Sequence, residues 1–216
     1  MSGLTLSELV IHRGAERLVA LDRSIAPGEV LTVMGPSGAG KSTLLAAIIG
    51  TLAPAFRCDG RVLLDGRSLD GLPPSARHIG ILFQDDVLFP HLSVGGNLAF
   101  GLAPSVRGRR ARRLAIEDAL TEAGLGGLAD RDPATLSGGQ RARAALMRML
   151  LAEPRALLLD EPFSRLDAHR REQIRDFVFT RARERALPTL LVTHDPGDAL
   201  AAGGDVISPL GTPIGL

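Results

Sequence analysis

Gly35-Pro36-Ser37-Gly38-Ala39-Gly40-Lys41-Ser42 fits the pattern G-x-x-x-x-G-K-[ST], and the reading of the whole chain turns on it. The run before it, 29–34, is short, apolar and partly β-branched, which predicts a strand. The stretch after it, 41–50, predicts a helix. A strand, a glycine-rich turn and a helix in that order give the motif its meaning. The glycines let successive backbone N–H groups curl around a phosphate, and the helix N-terminus adds partial positive charge. Lys41 supplies a full positive charge, and the Ser42 hydroxyl can face Mg²⁺.

A second apolar run, Leu157-Leu158-Leu159-Asp160, ends in a carboxylate, so a buried strand delivers Asp160 to the edge of a sheet. Such a carboxylate suits Mg²⁺, directly or through water. Glu161 follows it and can polarise an attacking water. By itself an Asp-Glu pair at a strand end is a weak signal; beside the phosphate loop it is a strong one.

Further strands are predicted at 78–83, 156–159 and 189–192, a hairpin around Asp65-Gly66, and helices at 109–124, 138–153 and 169–184. The alternation specifies an α/β fold: a phosphate-loop NTPase core with a mixed or parallel sheet and an N-terminal antiparallel β part. Helical patterning dominates between 90 and 132, so a mostly helical lobe is expected to be inserted there.

The chain has 216 residues, enough for one core with a smaller lobe. Its 25 Lys and Arg balance 24 Asp and Glu, which gives no bulk charge for holding nucleic acid or a membrane surface. The basic run 107–113 needs only water and is read as a solvated helix start. The single Cys58 excludes an internal disulfide and a multi-cysteine metal site. The start of the chain lacks the charge and apolar pattern of a signal peptide. No apolar run reaches the roughly 18–20 residues that span a bilayer.

Leu136-Ser137-Gly138-Gly139-Gln140 resembles the LSGGQ signature of the ABC ATPase family. Small residues at a helix start expose N–H groups and a hydroxyl to an anion. The resemblance implies that Ser137, Gly138, Gly139 and Gln140 meet the γ-phosphate of ATP held by a second copy, in a head-to-tail dimer with two ATPs between the subunits. It extends over nearly the whole chain, as one ABC ATPase domain over 1–216 with a helical subdomain at about 90–150 inserted in a RecA-like core. Residues 35–43, with Lys41, Ser42 and Thr43 at the helix start, are implied to hold ATP, and Ser42, Gln84 and Asp160 to hold Mg²⁺. Gln84 resembles the Q-loop glutamine that couples to the membrane subunits. Asp167, in Ser164-Arg165-Leu166-Asp167, resembles the D-loop aspartate, and His194 the switch histidine. Glu161, His194, Lys41 and Gln84 are thereby the expected catalytic set.

The stretch Gln84 to Gly101, QDDVLFPHLSVGGNLAFG, resembles that of bacterial importers for metal ions, thiamine, sulfate and polyamines. An ATPase subunit of a small-solute importer is therefore implied, at the cytoplasmic face of the membrane. The implied partners are a second copy, two permease subunits and a solute-binding protein, with no nucleic acid. An exporter subunit is the alternative. A soluble ABC ATPase of DNA repair or ribosomes is disfavoured by the lack of paired cassettes, coiled-coil or zinc insertions and basic arms. A non-catalytic module is disfavoured by the intact Lys41, Asp160, Glu161 and His194.

Two positions depart from the family pattern. Arg165 stands where a small residue is usual; it either reaches across the interface or points to solvent. With no Tyr or Trp in the chain, the usual adenine-stacking ring is missing near His12 and Arg13. Either the Arg13 guanidinium stacks on the base, which is the first choice, or His12 does, or adenine is held loosely. In the last case GTP is expected to displace ATP more readily than it does from a ring-bearing relative. Competition against a fluorescent ATP analogue measures this, and a strong ATP preference would count against loose holding.

Overall fold

Leu157, Leu158 and Leu159 carry no polar side chain for either face of a sheet to present to water, so their strand must be covered on both sides. In the computed structural model, which describes residues 3–84 and 88–216, it is. The strand, β7 (Ala156–Asp160), lies in a five-stranded sheet with β6 (Ile79–Leu82), β8 (Thr189–Thr193), β3 (Val30–Met34) and β9 (Val206–Ile207). The order is β6-β7-β8-β3-β9, and β7, β8, β3 and β9 run parallel. Asp160 pairs with Val192, and Met34 with Thr193. The carboxyl ends of β3, β7 and β8 are thus level, and Gly35, Glu161 and His194 all emerge from one edge. Open α/β sheets bind ligands at that edge.

A second sheet, ordered β2-β1-β4-β5, is antiparallel. It consists of β1 (Leu4–Arg13), β2 (Glu16–Ile25), β4 (Phe56–Leu64) and β5 (Arg67–Ser68), with Asp65-Gly66 as the expected turn. Its inward residues Leu4, Leu6, Leu9, Ile11 and Val19 join one core with Val33, Leu158 and Leu190 and with Leu44 and Ile48 of α1 (Lys41–Ile49).

Between 90 and 150 the described regular elements are helical: α2 (Val94–Gly101), α3 (Arg109–Glu122) and α4 (Gly138–Leu150), with one short 3-10 turn. The chain divides into two compact units. One holds residues 3–81, 155–161 and 179–216, and the other 82–84, 88–154 and 162–178. The chain completes the first unit through α5 (Ala168–Glu184), shared between both, and α6 (Pro196–Ala202).

Element ends differ from the sequence reading for local reasons. α1 stops at Ile49 because Gly50 takes a left-handed conformation (φ 83°) and its N–H returns to Ala46 and Ala47. α3 stops at Glu122 rather than at 124, with Gly124 left-handed just beyond. α4 stops at Leu150, since Glu153 at φ 52° and Pro154 cannot continue it. Residues 85–87 of the importer-like stretch lie outside the described residues.

The rest of that stretch is built around Asn97, which is fully buried. Its Nδ2 donates to the carbonyls of Phe89, Leu92 and Ser93, and its Oδ1 accepts from Phe89 N at 2.7 Å. Asn97→Ala leaves those groups unpaired in the interior and is expected to cost about 2–4 kcal/mol, read as a lower urea midpoint at unchanged m-value.

Candidate functional site

The loop between β3 and α1 turns on Gly38 (φ 83°) and Gly40 (φ 88°). At Gly40 two constraints coincide. A Cβ there would lie 3.1 Å from the Leu18 Cβ and 3.2 Å from the Val19 Cγ2 of β2, in a backbone conformation that side chains avoid. Gly40 N-caps α1 with no side-chain cap and no acid in the first turn, and its carbonyl accepts from Leu44 N. The amides of Lys41, Ser42 and Thr43 precede the first intrahelical donor and point where an anion would sit. Gly35, Pro36, Ser37 and Ala39 complete the loop.

Lys41 is only 6 % exposed. Its ammonium donates to Gly35 O (2.7 Å) and Pro36 O (2.9 Å) and lies 3.6 Å from Glu161 Oε1. Asp160 closes β7, with its carboxylate beside the Ser42 hydroxyl. Burial pushes the Asp160 pKa up and the neighbouring Glu161 charge adds to the rise, while Lys41 and the Ser42 hydrogen bond oppose it. Glu161 has a left-handed backbone (φ 46°), unusual outside glycine, and its N–H is tied to Val192 O at 2.9 Å. This turn leads its Oε2 to within 3.1 Å of His194 Nδ1, so one carboxylate bridges Lys41 and His194.

His194 is held from behind. Buried Thr193 donates its hydroxyl to buried Asp198 (3.3 Å) and accepts from Asp195 N (3.0 Å), and Asp195 caps α6 through Gly197 N and Asp198 N. The sequence reading passed over this support. Its visible trace is Asp195-Pro196, a helix-cap residue followed by a first-turn proline.

Lys41, Ser42, Asp160, Glu161 and His194 therefore meet at the edge of one unit. Arg13 lies at the β1–β2 turn of that unit, exposed and paired with Glu16 at 3.0 Å. His12 has its Nδ1 3.8 Å from Asp59 Oδ2, the carboxylate that also pairs with Arg57 at 2.8 Å.

In the other unit, Gln84 is exposed just past β6. Ser137 and Gln140 form a capping box on α4. The Ser137 Oγ accepts from Gln140 N at 3.3 Å, and Gln140 Oε1 accepts from Ser137 N at 2.9 Å. Ser137 and Gly139 line a cleft of about 330 Å³ together with Arg143, Arg170 and Ile174. Asp167 caps the start of α5, accepting from Arg170 N at 3.1 Å and pairing with its Nε at 3.3 Å. Arg165 is exposed.

The first cluster can bind polyphosphate through its amides and Lys41. The oxygen donors of Ser42 and Asp160 fit a hard divalent cation that keeps waters and phosphate oxygens as its other ligands.

The sequence profile of the ABC transporter family matches residues 18–164. The chain is 52 % identical over 184 residues to an uncharacterized ABC transporter ATP-binding protein, YnjD, of Escherichia coli, covering 85 % of this chain and 84 % of that one. It is 46 % identical to a thiamine import ATP-binding protein, ThiQ, of Cereibacter sphaeroides, with 91 % and 83 % covered. Among solved structures, cbiO1 of Clostridium perfringens, part of an ABC transporter complex, superposes with a TM-score of 0.82 at 29 % identity, covering 99 % of this chain and 87 % of that one.

The raised Asp160 pKa carries a sign for stability. The folded chain holds this proton more tightly than the unfolded chain. Its contribution is therefore favourable in acid and is lost as pH rises from the ordinary carboxylate range through the raised value. Asp160→Asn removes the buried charge, so without nucleotide its melting temperature at neutral pH is expected to exceed that of the parent, while Mg²⁺-dependent ATP turnover falls at least about 100-fold. Calorimetry across pH and a phosphate-release assay check both halves.

Proposed function

This chain belongs to the ABC transporter family, whose ATP-binding subunits are ATPases coupled to transport, and from that premise we propose that it powers the import of a small solute. In this reading it works as two copies under two membrane-spanning permease subunits, with a solute-binding protein supplying cargo. Import is favoured by relatives named for it: the thiamine proteins, an Fe(3+) ions import protein of Streptomyces avermitilis at 41 % identity, and a spermidine/putrescine import protein of Frankia alni at 45 %. The last two are longer, and the chain spans 59 % and 40 % of them. No helix among the described residues is long and apolar enough to cross a membrane, which agrees with attachment to a cytoplasmic membrane face through the permease subunits. The helical stretch at about 90–150 is taken as a lobe inserted in the nucleotide-binding core of one domain.

The observation that carries the hydrolytic reading is the Glu161 carboxylate, bridging Lys41 and His194 one residue past Asp160. Residues 35–40 and the amides of Lys41, Ser42 and Thr43 hold the phosphates, while Lys41 moves from the loop carbonyls to phosphate oxygens. With Lys41 on phosphate, Glu161 orients and deprotonates the attacking water. His194 holds the γ-phosphate, and Lys41 neutralises charge that develops on it. Mg²⁺, when bound by Ser42 and Asp160, would supply further neutralisation of phosphate charge.

Ser137, Gly138, Gly139 and Gln140 serve the ATP of the other copy, and Asp167 lies at the interface between copies. ATP therefore closes the dimer and its hydrolysis releases it. Arg13, preset by Glu16, is the residue assigned to the adenine face.

Glu161→Gln is expected to keep ATP affinity within about twofold, to lower turnover by roughly 10²–10⁴ and to accumulate ATP-bound dimers. Equilibrium binding, phosphate release and light scattering test this, and normal turnover by that variant would sink the assignment.

A further inference from the structure

The phosphate loop is walled at both ends by other parts of its own unit. At the helix end Gly40 abuts Leu18 and Val19 of β2. At the strand end a Cβ on Gly35 would lie 3.3 Å from Pro209 Cδ, 3.5 Å from its Cγ and 3.4 Å from Ala39 Cβ. Gly35 does not take the positive φ that demands glycine, so its lack of a side chain answers to space alone.

Pro209 belongs to a turn, 208–212, that follows β9 and is held from several sides. Ser208 N donates to Thr212 O at 2.8 Å, Gly211 N to Ser208 O at 2.9 Å, and Thr212 N to Ser208 Oγ at 3.1 Å. Past the turn, Ile214 N returns to Val206 O at 2.8 Å and ties the chain back onto β9. The turn also rests on β2. Ala20 N donates to Pro209 O at 2.9 Å, and Gly211 (φ 80°) comes so close that a Cβ there would lie 2.9 Å from Ala20 O. Pro209 is buried, and its ring has no rotamer freedom to lose. Three consecutive residues of β2 therefore brace the loop, Leu18 and Val19 directly and Ala20 through Pro209.

Gly35 needs the second brace. Its N–H reaches Thr193 O only at 3.4 Å, a long and weak hydrogen bond, so β8 holds it loosely. Its carbonyl is one of the two that accept from the Lys41 ammonium, at 2.7 Å. A loosely held glycine has more backbone freedom than any other residue, and a loop that keeps such freedom must give it up when it closes on a ligand. The Pro209 ring fills the space into which Gly35 would otherwise move.

We infer that Pro209 is a positioning residue for ATP: its ring fixes Gly35, and through Gly35 the loop that receives the phosphates. The inference rests on the reading of residues 35–43 as the loop that holds ATP. Pre-organisation of this kind acts on affinity rather than on the chemical step, because bound phosphate holds the loop in the ground state and the transition state alike.

The test is ATP binding and steady-state turnover of the full chain carrying Pro209→Ala, which keeps the carbonyl used by Ala20 N and removes the Cγ and Cδ that face Gly35. The Kd and KM for ATP are expected to rise about 3–10-fold, with kcat within about twofold of the parent. Ile207→Val, which shortens a buried side chain of β9, is the control for lost stability and is expected to bind ATP as the parent does. Gly35→Ala, whose new Cβ meets the ring, is expected to weaken ATP binding about 100-fold. Adding Pro209→Ala to that variant is expected to recover about tenfold, the remainder being set by Ala39.

An unchanged Kd for folded Pro209→Ala, an equal rise in Ile207→Val, or a double variant weaker than Gly35→Ala would each overturn the inference. Lys41→Ala separates it from the reading beneath it. Loss of ATP binding there, with none in Pro209→Ala, defeats the positioning role alone, whereas undiminished ATP binding by Lys41→Ala defeats both.

Discussion

The common register of β3, β7 and β8 is the constraint on which the site depends. These strands are buried on both faces, so an inward and outward alternation cannot fix their alignment as it does in a half-exposed sheet. The strand ends do it instead. Asp160 closes β7 at the edge where Thr193 closes β8, and at the other end Thr189 turns its hydroxyl back to Leu187 O. A slip by one residue would draw the Asp160 carboxylate between apolar strands or leave a leucine at the edge, and the first alone costs several kcal/mol. The position of the polar termini thus brings Gly35, Glu161 and His194 level.

At that edge the electrostatics are strained by design of the chain. The buried Lys41 ammonium is acceptable because carbonyl and carboxylate oxygens surround it; an unpaired ammonium there would be strongly destabilising. Asp160 and Glu161 are adjacent acids, and the rise in the Asp160 pKa records the cost of keeping both charged in a partly buried place. Phosphates entering such a site bring more negative charge against one lysine. The oxygens of Ser42 and Asp160 fit a divalent cation there, and the left-handed turn at Glu161 directs the second carboxylate to Lys41 and His194.

The phosphate loop could be read from the chain because its chemistry is local: glycine, lysine and serine act within eight consecutive positions. The buried strands were legible for the same reason, as unbroken apolar runs. The bridge from Glu161 to Lys41 and His194 was not, since it joins three distant segments through one unusual backbone angle. Neither was the Asn97 hub, because an asparagine in a helical stretch looks polar and exposed until the Phe89 turn folds over it. Arg13 shows a further limit. Its neighbour Glu16 was in plain view, yet their pairing depends on a tight hairpin between strands whose β1–β2 register shifts twice.

Glycines at the signature segment differ in kind from Gly40. At Gly40 the chain itself leaves no room, with Leu18 and Val19 against the missing Cβ. A Cβ on Gly138 would find nothing nearer than 3.8 Å, and one on Gly139 nothing nearer than 3.7 Å, which are ordinary contact distances. Neither residue has the positive φ that demands glycine. Both lie in a helical first turn, where glycine costs roughly 1 kcal/mol relative to alanine. The capping box already uses the Ser137 oxygen and the Gln140 amide on each other, leaving the Ser137 hydroxyl proton and the glycine amides as the donors still available. Two glycines that the chain does not need for its own packing, beside donors it does not use, leave room for a partner from outside the chain, which is what the proposed phosphate of a second copy requires.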